Sequence, residues 1–183
     1  MKKIVLNLSL LALSSLPFAA AAQAPTPAPP STLKGVLLEQ LRTTHNAQDW
    51  FASGNTAMQG LTAEQARWTD GKGNHSVGQL TYHLVFWNSR ALKQFKGEKT
   101  DKFSGNNDET FNNFTPQQWA DLVKQYDQNM TEWEKAVEAA DDATVAKNAS
   151  LIAHVGTHNA YHIGQIVFVR KEQGVWDPAK GVK

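Results

Sequence analysis

Three of the six histidines in this 183-residue chain stand four residues apart, as His154, His158 and His162. On a helix, residues four apart differ by about 40° in direction and about 6 Å in rise. His158 and His162 can therefore converge on one point, each with a ring nitrogen about 2.0–2.1 Å from a divalent ion. His154 lies one further turn back and drifts off that line, so it is read as a wall or surface residue of the same pocket. A third ligand must come from another helix. His83 is the candidate, because it lies beside Leu80, Leu84 and Trp87 on an apolar stripe of helical spacing and should point into the core. Without a shared ion, each neutral imidazole in the core would carry an unsatisfied nitrogen, costing about 1–3 kcal/mol apiece. The alternative, that these are ordinary hydrogen-bonded core or surface histidines, stays open at this level, since H-x-x-x-H is a common chance pattern.

Other residues are candidates for the surroundings of such an ion. Gln165, three residues past His162, could orient a ligand from behind, or be a packed interhelical amide. Trp87 and Arg90, one and two turns past His83, are placed at the pocket mouth; for Trp87 ordinary core packing competes. His45, in a polar stretch, reads as a solvated or pocket-rim residue, and His75 as exposed. The mouth is expected between the N-terminal half of the last helix, the first helix near His45 and Trp50, and Trp87. Gly156 and Gly164, opposite the histidine face, should permit close helix packing. Asn159 removes the general base that an H-E-x-x-H protease needs. With no carboxylate between His158 and His162, the catalytic group would be water or a thiol bound to the ion itself.

These side chains need helices to carry them, and the hydrophobic periodicity supplies four long ones. The first is expected over residues 32–58, marked by Leu33, Leu37, Leu41, Trp50 and Phe51. A short turn of helix opened by Thr62 should follow. Ser76 with Gln79 forms a capping box that opens the second helix, and Gly97 stops it. Thr115-Pro116-Gln117-Gln118 opens the third, with Pro in the first helical position; Trp119, Leu122, Tyr126, Met130, Trp133 and Val137 form its buried seam. The fourth, over 148–173, carries the histidines, is apolar on more than one face and ends at Gly174. The Asn/Gly/Asp/Lys-rich stretch between Gly97 and Thr115 is long enough to cross over between helices rather than make a tight hairpin. The fold expected is all-α, a four-helix bundle over residues 32–178, with a long crossover loop between the second and third helices.

The balance of 18 basic against 17 acidic residues carries no basic stripe, so no nucleic-acid partner is expected. The chain has no cysteine, which excludes disulfides, thiolate metal sites and a cysteine nucleophile. Residues 1–22 read as a secretory signal peptide: Lys2 and Lys3, an interrupted apolar stretch from Ile4 to Leu16, then Ala19 to Ala22 before the cleavage point. That stretch is too short and too broken for a stable membrane anchor. Residues 23–31 form a Pro/Ala-rich linker. The expected location is periplasmic or secreted. The expected partners are a small-molecule substrate and, as an assembly, a homodimer.

Two segments together resemble a known family. "LTAEQARWTDGKGNHSVGQLTYHLVFWNSRALKQFKGE", Leu61 to Glu98, and "HNAYHIGQI", His158 to Ile166, are similar to the DinB family, also called DinB/YfiT-like. The resemblance covers essentially the whole domain. It implies a four-helix bundle with a crossover connection and a three-histidine site for a divalent ion, often nickel or zinc. Carried over, its ligands are His83, His158 and His162, the set already chosen from register. Characterised relatives are thiol-dependent transferases or isomerases, so the resemblance implies thiol-dependent transfer or hydrolase-like chemistry on a small molecule. Two positions depart from the pattern: Asn159 stands where many members have Glu, and Ile163 where many have Arg. The competing functional class is a non-catalytic metal-binding or stress-related bundle in which the ion only staples two helices.

Overall fold

A computed structural model describes residues 29–181. The expected signal peptide and most of the linker lie outside the described residues. Among those residues there are seven α-helices, two short 3-10 turns and no strand.

α1 (Leu33–His45) starts where the Thr32 side chain accepts the Gly35 N–H. It stops at His45, well short of the expected residue 58. The Tyr126 hydroxyl donates to the Thr44 carbonyl at 2.7 Å, satisfying one of the acceptors that the helix end leaves without an intrahelical partner. Asn46 and Ala47 both turn their N–H groups onto the Arg42 carbonyl. Ser53 then caps a separate short helix, α2 (Gly54–Met58). Gly54 opens this helix, and a Cβ there would overlap the Tyr126 hydroxyl. Trp50, expected as an apolar mark of that helix, is 85% exposed in the intervening loop.

α3 (Ala63–Arg67), α4 (Val77–Phe95) and α5 (Pro116–Ala139) all open with capping boxes, Thr62 with Gln65, Ser76 with Gln79 and Thr115 with Gln118. α4 is followed by Gly97 at φ 72°, the left-handed stop that glycine adopts without strain. A short helix not anticipated from the sequence, α6 (Asp142–Lys147), is capped by Asp141 and leads into α7 (Ala149–Glu172).

The four long helices pack side by side, α1 and α4 each against both α5 and α7. Their seams meet in a core that includes Leu41, Leu84, Tyr126, Met130, Trp133, Ile152 and Ile166, each 0% exposed. Gly156 lets α7 approach α1, since a Cβ there would meet the Gln40 Cβ at 3.2 Å. Gly164 does not serve that purpose, because it faces open space. The buried Arg170 ties the end of α7 to α2 by donating to the Ala57 carbonyl at 2.7 Å and the Gln59 carbonyl at 3.2 Å. The α4–α7 contact brings the two histidine-bearing helices together. The connection after α4 returns over it through a 3-10 turn, Asn107–Thr110, which contacts α4.

Candidate metal centre

α4 presents His83, 4% exposed, and α7 presents His162, 7% exposed, with His158 half-buried beside it. One ring nitrogen from each of the three lies within 4.8 Å of the other two. His83 Nε2 and His158 Nε2 stand 3.1 Å apart. Tetrahedral ligands about 2.1 Å from an ion stand about 3.4 Å apart, so modest side-chain adjustment closes the set around one cation.

Hydrogen bonds behind two of the rings decide which nitrogen each offers. The Thr110 hydroxyl donates to the Asn107 carbonyl at 2.6 Å, so at 2.6 Å from His83 Nδ1 it acts as acceptor and the ring N–H donates. His162 Nδ1–H likewise donates to Gln165 Oε1 at 2.6 Å, an amide oxygen that can only accept. Both rings are thereby held as Nδ1–H tautomers with the Nε2 lone pair turned inward. Histidine ligands of metals are commonly oriented in this way. The chemistry of the donor set fits a divalent ion, and the three-histidine group could bind one.

Burial favours the same neutral state. It pushes His83 down to about 3, with repulsion from His162 and His158 adding to it. Burial, then His162, pushes His158 down to about 4. His162 is also lowered, chiefly by burial, against the opposing hydrogen bond to Gln165. Three imidazoles that resist protonation are ready as ligands near neutral pH.

The triad lies on the wall of a cavity of about 870 Å³, within the range of small-molecule sites. Exposed side chains, among them Asp108, His154, Thr157 and Tyr161, line it, so it opens to solvent. Trp87, Gln165 and His154 also line it, with His154 on the exposed side of α7. The ring of Trp87 stands edge-on to His83 at 6.4 Å.

Several placements differ from expectation. His45 is neither solvated nor at a rim: it is 2% exposed, with Nδ1 2.6 Å from Glu134 Oε1 and Nε2 3.0 Å from Asp127 Oδ1. It clamps the end of α1 to α5, lying one turn past Leu41 on the buried face of α1. Trp50 lines a different pocket, so the mouth is not formed by α1. Arg90 does not line the cavity; its guanidinium donates to the Asp101 carbonyl and lies over Phe86 and Phe103.

The crossover segment supplies what sequence reasoning missed. Phe111 stacks on His83 at 4.1 Å and, on its other face, on His75 at 3.8 Å. His75, expected to be exposed, is half-buried in this stack and lines the cavity. The one available signal was Asn106 with Glu109 three residues on, the capping box that opens the 3-10 turn; nothing in the sequence marks Thr110 as a partner of His83. Asn159 is fully buried and turned away from the triad: it accepts from Asn88 Nδ2 at 2.8 Å and donates to Met130 Sδ at 3.2 Å. Ile163 is in the core, 1% exposed.

An all-helical fold that joins histidines from two packed helices at an open cavity defines a class of candidate metal-binding bundles. Within that class the chain belongs to the DinB superfamily, whose profile matches residues 55–166. No curated protein and no solved structure matches it.

Proposed function

We propose that this chain is an exported protein that holds a divalent ion, nickel or zinc, on His83, His158 and His162 and acts there on a small molecule. The reaction class favoured is thiol-dependent transfer or hydrolysis. One observation carries the reading: Thr110 and Gln165 hold two of the rings with Nε2 lone pairs turned inward, at the wall of an open cavity. A divalent ion held there would act as a Lewis acid and lower the pKa of a bound water or thiol.

The chain's own residues then have defined parts. Thr110 and Gln165 keep the protons on Nδ1. Phe111 covers one face of His83 and shields it from water. Asn159 cannot serve as base, because an amide is not basic, and both of its ends are engaged with Asn88 and Met130. The competing reading, a purely structural staple, fits less well. Structural zinc sites are closed by four protein ligands, whereas catalytic sites keep a position open, and here three histidines face a cavity.

Export rests on the basic, apolar and small-residue pattern of residues 1–22. Among the described residues no helix is long and apolar enough to cross a membrane. Elemental analysis of protein purified from its native compartment, followed by a screen of small electrophiles with and without low-molecular-weight thiols, tests the proposal. Turnover that survives complete removal of the ion would sink the catalytic reading.

A further inference from the structure

Resting on that functional reading, we infer that the ligand of this cavity has an uncharged apolar or aromatic body, and that thiols carrying several carboxylates are not its substrates. Trp87, Phe111, Leu151, Val155 and Tyr161 supply an apolar and aromatic wall around the triad. The acidic side chain on that wall is Asp108, at the exposed rim. Among the described residues that line the cavity none is Lys or Arg. Arg90, two turns from His83 on the same helix, is turned onto Phe86, Phe103 and the Asp101 carbonyl. The ion takes the one group that coordinates it; a carboxylate carried elsewhere in this space would lose water without meeting a Lys or Arg, and would meet Asp108 at the rim. A phenyl or alkyl body would bury its surface against the wall. The polar end of the ligand belongs at the histidine end, and the rest of it is apolar.

The test compares benzyl mercaptan with glutathione, which bears two carboxylates, by calorimetric titration of the full chain at about pH 8, above the imidazole range. Zinc-loaded and metal-stripped samples are both titrated. Benzyl mercaptan is expected to bind about tenfold or more tighter than glutathione in the zinc-loaded chain, with the same preference in the stripped one. Thr157→Arg places a cation on the cavity wall at an exposed position whose hydroxyl bonds only its own helix; it should narrow the ratio by improving glutathione binding. Glutathione binding as tightly as benzyl mercaptan to the unaltered chain would overturn the inference even if zinc binds. A preference for benzyl mercaptan in a chain that takes up no zinc would uphold it while overturning the metal reading.

Discussion

Thr110 accepts the Nδ1 proton of His83 at 2.6 Å, across 27 residues of chain. The contact joins the crossover segment to the second long helix. It also makes a buried hydroxyl responsible for which nitrogen His83 offers. Thr110→Val keeps the side chain's shape and removes the acceptor. Zinc affinity should fall about 10- to 100-fold, and stability by about 1–2 kcal/mol. Titration against a competing chelator measures the first and urea unfolding the second. An unchanged affinity would show that the hydrogen bond does not orient the ring.

His83→Ala, His158→Ala and His162→Ala should each remove most of the bound metal, because each deletes one of three converging nitrogens. His154→Ala should leave metal content intact. Elemental analysis decides it, and full metal content in His83→Ala would overturn the assignment.

His45→Ala should act on stability instead. The ring is buried between Asp127 and Glu134, and its loss leaves two carboxylates on α5 facing a void. Hydrogen bonds from His45 and Asn55 also hold the Asp127 carboxyl below its usual range. A loss of about 1–3 kcal/mol is expected, read by urea unfolding, with metal content unchanged. A stable variant that loses its metal would place His45 in the site after all.

The metal-stripped protein should lose stability as pH falls from 6.5 towards 4. His83 is held at about 3 in the fold against an ordinary 6.5, and His158 at about 4. The unfolded chain therefore takes up protons first across that window, and acid favours it. Urea midpoints measured from pH 7 to pH 4 should decline, and the slope above pH 4 should flatten in the triple variant His83→Gln, His158→Gln, His162→Gln. Equal slopes in the two proteins would show that these rings do not resist protonation.

The native protein should begin at Gln23 and be recovered from the periplasm or the medium. Mass spectrometry of the N-terminus checks this, and an intact Met1-Lys2-Lys3 terminus on cytoplasmic protein would contradict it.

Much of the architecture was legible because it is written in local chemistry. Ser76 with Gln79, Thr115 with Gln118, and glycine at 97 and 174 act within one turn of their own helices, so short stretches of sequence define where α4, α5 and α7 begin or end. The apolar stripes of α4 and α5 repeat at three and four residues, so their buried faces could be named. The convergence of His158 with His162 follows from helical rise alone, and His83 from its place on a buried stripe. The break after His45 was not legible from local pattern; the helix end there is met by a distant residue, Tyr126, 82 residues away in the chain, whose hydroxyl donates to the Thr44 carbonyl. The burial of His45 between two α5 carboxylates, the turning of Arg90 onto Phe86 and Phe103, and the arrival of Thr110 and Phe111 behind His83 were hidden for the same reason. Residue type and spacing determine what a helix can present, since both are properties of a few consecutive residues. Which tautomer each histidine holds, and what walls the cavity around it, depends on contacts between segments far apart in the chain, and only packing brings those segments together.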